Sequence, residues 1–210
     1  MTLRKNKKRA RSEKEKEARR AAILVAAQEM IADTGFDGMT MSALARRAGL
    51  SKGTLYLYVH SKEELFLALF VDALETLVIR IEQEATEHNL AELMGRVPQE
   101  VPLFLPLLAR LVAVIEANVA DPPLFEAKRT MHGYGDRVAA VIARISGASL
   151  ERASETASVL MMAMQGAAQF DITAQRDLAT VPDDLKPAFA SQAFSERFPM
   201  AARLILSAIL

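Results

Sequence analysis

Within residues 35–65, glycines that can end a helix alternate with hydroxyl side chains that can begin one. Glycine readily adopts the left-handed backbone at a helix C-terminus, and serine and threonine are preferred N-caps. These positions are Gly35, Thr40, Gly49, Ser51 and Ser61. Their spacing predicts two short helices, residues 41–48 and 52–58, across a tight turn at Gly49, and then a long helix from Lys62 towards residue 87. Two short helices across a tight turn have the geometry of a helix-turn-helix.

The rest of the chain also favours helices. Ala, Leu, Glu, Arg and Met have high helix propensity and dominate the composition, which includes only nine Gly and eight Pro. No segment shows the alternation that is typical of strands. Further helices are predicted over residues 13–33, 89–95, 101–120, 121–146 (interrupted near Gly133 and Gly135), 150–174 and 191–209, with a loop over 177–190. We therefore expect an all-α protein of about nine helices.

The charge distribution predicts a basic N-terminal part on an acidic body. Residues 1–62 hold 14 Lys and Arg against 6 Asp and Glu, a net charge of +8, and residues 63–210 hold 12 against 20, a net charge of −8. Such an asymmetry favours a polyanionic partner for the basic part. We expect three regions: a disordered basic arm (1–12), a helix-turn-helix domain (13–63) and a helical domain (64–210).

The basic arm has two interpretations. Its six cations are Arg4, Lys5, Lys7, Lys8, Arg9 and Arg11, and residues 2–11 include no acidic residue. A free segment of this composition stays disordered. It either reaches a minor groove or flanking phosphates of DNA, or it is a solubilising tail. No apolar run follows it, so we expect no secretory signal.

The second short helix is unusual for a purely structural element. It begins with the small or polar residues Ser51, Lys52, Gly53 and Thr54. Gly53 costs about 1 kcal/mol of helix stability relative to alanine. Close approach to DNA would explain the glycine, and so would avoidance of a clash with the preceding helix.

Lys62 and two tyrosines point to phosphate contacts. Lys62 falls in the first turn of a helix, where the macrodipole disfavours a cation by roughly 0.3–1 kcal/mol. A phosphate bound at that helix N-terminus would reverse the sign. Tyr56 and Tyr58 can add hydroxyl contacts to phosphate, although core packing is the alternative for one of them. We expect Tyr56 to be more exposed than a core residue.

Several short motifs between residues 20 and 66 carry a family resemblance. They are Ile23-Leu24, Ala26-Ala27, Gly35-Phe36, Thr40, Leu44-Ala45, Ala48-Gly49-Leu50-Ser51-Lys52-Gly53-Thr54-Leu55-Tyr56 and Ser61-Lys62-Glu63-Glu64-Leu65. In these motifs the chain resembles the TetR family of one-component repressors. The resemblance implies a three-helix DNA-binding domain followed by an all-α domain that binds ligand and forms a dimer. It also implies DNA contacts from Thr40, Ser42, Ser51, Lys52, Gly53, Thr54, Tyr56, Tyr58 and Lys62.

Three positions in this segment depart from the family's usual residues. Met39 and Val59 stand where Thr and Phe are frequent, and His60 stands where Pro or a small residue is common. We expect Met39 and Val59 to repack the small core. His60 is either a solvated histidine or a pH-sensitive phosphate contact.

The C-terminal part offers a dimer interface and a pocket. The helices over 150–174 and 191–209 have apolar faces with small residues, which suits a four-helix homodimer interface, and burial within one chain is the alternative. Adaptable methionines mixed with polar groups predict a pocket for an apolar or amphipathic effector. Ordinary core packing is the alternative for the methionines. The predicted pocket residues are Phe104, Met131, His132, Tyr134, Met161, Met164, Gln165 and Phe170.

Other functional classes lack their signatures. The chain has no cysteine, and its three histidines, His60, His88 and His132, lie far apart in sequence. It contains no phosphate-binding loop, nucleophile elbow or dinucleotide fingerprint, so we expect no catalytic residues, metal or cofactor. The most apolar stretch, residues 101–115, is too short to span a bilayer. A protein anchored to a membrane surface would need a Trp-containing amphipathic helix or a lipidation site, and neither is present.

The sequence therefore predicts a cytoplasmic, homodimeric transcriptional regulator. Its two recognition helices would lie roughly 34–36 Å apart and read a palindromic operator. A small effector would favour a different spacing and release the DNA, which is the behaviour of a repressor. The alternative is a helical small-molecule-binding protein or enzyme with no DNA-binding role.

Overall fold

The structure is a computed structural model that describes residues 2–174, 178–191 and 193–209. Within these residues it contains ten α-helices and no strand, which confirms the predicted all-α fold. The helices are α1 (Thr2–Gly38), α2 (Met41–Arg47), α3 (Lys52–Leu55), α4 (Lys62–Glu84), α5 (Leu90–Glu100), α6 (Phe104–Arg110), α7 (Asp121–Ser146), α8 (Leu150–Ala174), α9 (Lys186–Ala190) and α10 (Phe194–Leu206). The chain divides into an N-terminal unit, residues 1–69, and a C-terminal unit, residues 70–210.

Helix α1 begins much earlier than predicted. Its backbone is helical from Thr2, where the sequence predicted a disordered arm over 1–12 and a helix start near residue 13. No glycine or proline precedes Gly35, and the segment is rich in Ala, Lys, Arg and Glu, so its intrinsic propensity allows the helix to continue. Gly35 has a φ of 72° and interrupts the helical backbone, as predicted.

A small core holds the short helices of the N-terminal unit. Leu44 and Leu55 are fully buried, and Ala45 is nearly so, where α2 and α3 contact each other. The unusual residues Met39 and Val59 are also buried, at 1% and 3% exposure, in agreement with a repacked core. A core of this size fixes the relative position of two helices that are too short to be stable alone.

Arg47 links α2 to α1 through two ion pairs. Its Nη1 lies 2.7 Å from Asp33 Oδ2, and its Nη2 lies 3.2 Å from Glu29 Oε2. The hydrogen bond to Asp33 raises the pKa of the Arg47 guanidinium, and Glu29 adds to the effect. Arg47 is therefore engaged within the chain.

In the C-terminal unit, α8 packs against α6, α7 and α10, and α5 packs against α10. A Cβ on Gly95 would lie 2.9 Å from the side chain of Pro199, so only glycine allows this approach of α5 to α10. Helix α7 runs without interruption through Gly133 and Gly135, so the predicted break is wrong. Two glycines cost a helix only about 1 kcal/mol each, which packing of α7 along α8 can offset.

The segment predicted as one helix over 101–120 is divided. Val101 is extended because a following proline, Pro102, disfavours helical backbone. Leu103 then has a φ of 61°, which is uncommon for a bulky side chain, and α6 begins after it. A π-helical turn, Leu111–Ile115, and a 3₁₀ turn, Glu116–Asn118, complete the segment.

The last connection contains more helix than predicted. A 3₁₀ turn, Leu178–Thr180, and α9 lie in the expected loop, of which residue 177 is outside the described residues. Helix α10 begins at Phe194, where its backbone N–H donates a 2.9 Å hydrogen bond to Asp171 Oδ1. Among the described helices, none combines the length and the apolar character that crossing a membrane requires.

Candidate functional site

Side-chain caps begin the two short helices of the N-terminal unit at the predicted residues. Thr40 Oγ1 accepts a 3.2 Å hydrogen bond from the Ala43 N–H, and Ser51 Oγ accepts one of 3.0 Å from the Thr54 N–H. Gly49, with a φ of 65°, makes the turn between them. Helix α3 ends at Leu55 rather than near residue 58, so residues 56–58 form a turn.

None of the nine residues predicted to contact DNA is buried. Three are half-buried: Thr54, Tyr58 and Lys62. Six are exposed: Thr40, Ser42, Ser51, Lys52, Gly53 and Tyr56. The exposed fraction of Tyr56 is 36%, so core packing does not account for this side chain. The set therefore lies where an external molecule can reach it.

Among the described residues, no neighbouring atom requires a glycine at position 53. A Cβ built on Gly53 would meet only Ser51 Oγ, at 3.9 Å, which is an ordinary van der Waals distance. The explanation by avoidance of an intramolecular clash is therefore wrong. The surface above Gly53 is open, in a helix of only four residues.

Lys62 opens α4, as predicted. Its Nζ lies 5.4 Å from the centroid of the Phe66 ring, and no carboxylate of the described residues lies within ion-pair distance. Lys52 is similar, with its Nζ 6.0 Å from the Tyr56 ring centroid. Both lysines can therefore bind a phosphate without breaking an ion pair in this part of the chain.

At the start of α4, Ser61 is the N-cap, as predicted, and Glu64 accepts a hydrogen bond from the residue before Ser61. Ser61 Oγ accepts a 3.0 Å hydrogen bond from the Glu64 N–H. Glu64 Oε2, however, accepts from the backbone N–H of His60 at 2.9 Å and lies 3.0 Å from His60 Nδ1, rather than returning to Ser61. His60 is exposed, as a solvated histidine would be, and is oriented by this carboxylate.

Two exposed residues beside the predicted set were missed. Arg46, in the last turn of α2, is exposed and forms no ion pair with the described residues, in contrast to Arg47. Leu57 is 74% exposed, between the two tyrosines of the turn. Its exposure follows from the early end of α3, which the sequence pattern did not reveal.

The C-terminal unit contains a cavity of about 460 Å³ between its helices. Six of the eight predicted pocket residues line it: Met131, His132, Tyr134, Met161, Met164 and Gln165. The prediction was wrong for the two phenylalanines. Phe104 is fully buried and stacks on Phe70 with 5.7 Å between ring centroids. Phe170 is 49% exposed, with the guanidinium of Arg197 5.1 Å from its ring centroid.

The cavity is apolar over most of its wall but includes an ion pair. Glu116 Oε1 is buried and lies 2.5 Å from Lys128 Nζ, yet it accepts no hydrogen bond of normal geometry from the described residues. Neither residue belonged to the predicted pocket. The pattern could not identify Glu116, because it lies in a 3₁₀ turn where one continuous helix was expected.

Tyr134 connects the cavity wall to α4. Burial raises the pKa of its hydroxyl, and the nearby carboxylate of Glu75 raises it further. Its ring centroid is 5.5 Å from the guanidinium of Arg137, whose Nε and Nη2 donate hydrogen bonds of 2.8 and 2.6 Å to Glu82. A polar network thus joins α7 to α4 beside the cavity.

Helices α8 and α10 each bury one face and expose another. Their inner faces contribute Leu160, Met164, Phe194 and Phe198 to the core of the chain. Large apolar side chains remain on the outer faces: Val159, Met162, Phe170, Met200 and Leu204. Burial within one chain therefore explains only part of the apolar pattern on these helices.

The described residues contain no group of three or more His, Asp or Glu that could hold a metal ion. The six predicted cavity residues and the nine N-terminal residues lie in different units of the chain. They form two separate sets, one on a surface and one around a cavity.

Comparison with known proteins agrees with this geometry. Residues 23–69 match the model of a family described as bacterial regulatory proteins, tetR family. The fatty acid metabolism regulator protein of Bacillus subtilis is 33% identical over 79 residues, which are 38% of this chain and 41% of that protein. The HTH-type transcriptional repressor AcnR of Corynebacterium efficiens is 32% identical over 113 residues, which are 54% of this chain and 57% of that protein.

These matches cover only about half of the relatives' own lengths, whereas a structural match extends further. The crystal structure of the regulator FadR from Bacillus subtilis, in complex with stearoyl-CoA, covers 90% of this chain and 96% of that one, with a TM-score of 0.54. At 17% identity this likeness shows a shared fold. Residues 23–69 therefore belong to the tetR family of bacterial regulatory proteins, and the chain as a whole shares the fold of the solved regulator.

Proposed function

We propose that the protein is a ligand-responsive transcriptional regulator that binds an operator through residues 35–62. The observation that carries this proposal is the open surface above Gly53, in a helix that this glycine destabilises. A backbone that approaches a base edge or a phosphate closely has a use for glycine that the folded chain alone does not provide. Family membership of residues 23–69 supports the same interpretation.

The nine exposed or half-buried residues would divide their roles by chemistry. Lys62, at the start of α4, and the hydroxyls of Tyr56 and Tyr58 suit phosphate oxygens, which position the protein on the duplex. Helix α3 would enter the major groove, where Lys52 and Thr54 can reach base edges. The caps Thr40 and Ser51 and the exposed Ser42 are small enough to let the backbone approach.

The protein would act as a homodimer through α8 and α10. The apolar side chains on the outer faces of these helices, Met162 and Leu204 above all, are 63% and 66% exposed in the single chain. Gly166 on α8 has open space around it, which lets a second helix approach closely. Two copies would then present recognition helices roughly 34–36 Å apart to a palindromic operator.

A small apolar or amphipathic effector would occupy the cavity of the C-terminal unit. A volume of about 460 Å³ falls within the range of ordinary ligand pockets, roughly 300–1,000 Å³. An effector that binds better to a conformation with a different operator spacing would shift the population away from DNA, so the protein would be a repressor. Operator binding also implies a cytoplasmic location.

Selection from a random double-stranded DNA pool, followed by gel shift, tests the DNA-binding part. We expect enrichment of a palindrome, and the DNA upstream of the protein's own gene is the first natural fragment to try. A pool without any enriched sequence, together with no shift of the upstream fragment, would contradict the proposal. If the cavity still bound small molecules, the alternative of a helical ligand-binding protein would then be favoured.

A further inference from the structure

We propose that the cavity of the C-terminal unit selects ligands with a positively charged nitrogen on an apolar body, and that Glu116 binds this nitrogen. The inference rests on the proposed function, because it specifies the chemistry of the effector. Its basis is a buried carboxylate oxygen in the cavity wall that lacks a hydrogen bond.

Glu116 is the most deeply placed charge of the cavity. Its side chain is 14% exposed, and its Oε1 is fully buried. The nearest cation, Lys128 Nζ, lies 2.5 Å away, but the contact does not have the geometry of a hydrogen bond. A ligand that donates a well-aligned hydrogen bond to Oε1 would satisfy a buried acceptor, in exchange for its contact with Lys128.

Lys128 is a replaceable partner. Its side chain is 50% exposed, so its ammonium can return to water at small cost when a ligand takes its place. The carboxylate of Glu116 has no such alternative, because water does not reach Oε1. The Glu116 carboxylate is therefore paired with a lysine side chain that a ligand can displace.

The other charged residues of the cavity wall also favour a positively charged ligand. Glu116 and Asp136 are the carboxylates of the cavity wall and Lys128 is its ammonium, so the wall has a net charge of −1 when His132 is neutral. An anionic head group would meet the buried oxygen of Glu116 and would have to compete for the half-exposed Lys128. A cation would be attracted by Glu116 and would displace only Lys128, whose half-exposed ammonium can return to water.

The remaining wall suits an apolar body. Helix α4 contributes Phe70, Leu74 and Leu77, and α8 contributes Met161 and Met164. Unbranched methionine side chains can adapt to ligands of different outline. An amine or ammonium group attached to an alkyl or aryl body therefore matches the cavity at both ends.

Calorimetric titration of the full chain with two probes of equal chain length, decylammonium and decanoate, tests the inference at neutral pH. We expect decylammonium to bind at least about tenfold more tightly, the effect of one hydrogen bond to a charged group. Glu116→Gln should abolish the preference, whereas Asp136→Asn, at an exposed carboxylate of the same wall, should change it less than about twofold, as an exposed charge in water does. Thermal melting of each variant confirms that it is folded.

The Lys128→Met substitution gives a second test, because it should affect the binding of a cation and of an anion differently. If Lys128 only covers Glu116, the substitution should leave or raise the affinity for decylammonium. If Lys128 were the binding group for an anion, the affinity for decanoate would fall instead. A preference for decanoate, equal affinities, or no binding of either probe would overturn the inference.

Operator affinity, measured without any probe on the same preparations, keeps the two proposals separate. A chain that binds its selected operator but prefers decanoate would contradict the cation inference alone. A chain that prefers decylammonium through Glu116 but enriches no DNA would contradict the proposed regulatory function and not the chemistry of the cavity.

Discussion

In the N-terminal unit the proposed contact residues lie on short helices and face outwards, whereas in the C-terminal unit they surround a cavity between long helices. Helices α2 and α3 have 7 and 4 residues, and α7 and α8 have 26 and 25. Short helices gain little stability from their own hydrogen bonds and depend on caps and a few buried contacts. The cavity instead depends on the packing of residues that are distant in sequence.

The two sites also differ in how many of their side-chain contacts are already made within the chain. On the N-terminal surface, Gly53 avoids no clash, and Lys62 contacts the Phe66 ring but forms no ion pair within the described residues. Around the cavity, Tyr134 and Lys128 already have partners, so a ligand must exchange one contact for another.

Salt should affect the two units very differently. Operator affinity should fall by about 10³–10⁵ between 50 and 200 mM salt if 6–10 phosphates are neutralised, because counterions are released on binding. Binding of an uncharged alkyl probe in the cavity should change little over the same range. Fluorescence anisotropy of a labelled operator and calorimetry of the probe measure the two responses. A flat response of operator affinity would contradict the phosphate contacts.

The Leu44→Ala substitution should loosen the N-terminal unit. Leu44 is fully buried, and removing such a side chain costs about 2–5 kcal/mol of unfolding free energy. Hydrogen exchange should accelerate over residues 41–59 and remain slow in α7 and α8, while operator affinity falls. Leu57→Ala, at a side chain 74% exposed, is the control and should change stability by less than about 0.5 kcal/mol. Equal acceleration in both units would contradict their separate cores.

Lys62→Ala should weaken binding to every DNA sequence alike. Loss of one phosphate contact should lower affinity about tenfold and reduce the salt slope by about 1. Arg129→Ala, which removes an exposed cation from α7, is the control and should leave both quantities unchanged. A change in sequence preference without a general loss of affinity would show that Lys62 does not bind phosphate.

The smallest effect concerns the pair of Glu82 and Arg137. The hydrogen bond from Arg137 lowers the pKa of the Glu82 carboxyl, so the pair stabilises the fold above the unfolded pKa of glutamate, about 4.3. That contribution is lost as the pH falls through the lower, folded pKa. Because the pair is about one-third exposed, Glu82→Gln should cost no more than about 1 kcal/mol at pH 7, measured by urea unfolding. A difference that persisted unchanged at pH 2 would contradict an electrostatic origin.

The sequence predicted the N-terminal site better than the cavity because its signals are local. The caps Thr40 and Ser51 and the turn at Gly49 act on neighbouring residues, and each lies where it was expected. The sequence analysis did not predict the start of α1 at Thr2, where the helix propensity of the residues outweighs the repulsion between their like charges.

In the C-terminal unit the errors arise from contacts between distant residues. Phe104 has the apolar character of a pocket residue, but its stacking on Phe70 depends on how α6 meets α4. Glu116 lies in the cavity wall at the junction of a π-helical turn and a 3₁₀ turn, where the sequence predicted regular helix. The uninterrupted α7 shows the same effect, since packing overrides the intrinsic cost of Gly133 and Gly135.

Two glycine substitutions test directly whether Gly53 serves an external partner. Neither Gly53→Ala nor Gly133→Ala introduces a contact closer than 3.9 Å, so each should leave the fold intact or stabilise it by up to about 1 kcal/mol. We predict that Gly53→Ala lowers affinity for the selected operator by about tenfold or more, roughly 1.4 kcal/mol, whereas Gly133→Ala leaves it unchanged. Wild-type operator affinity in a folded Gly53→Ala variant would contradict the claim.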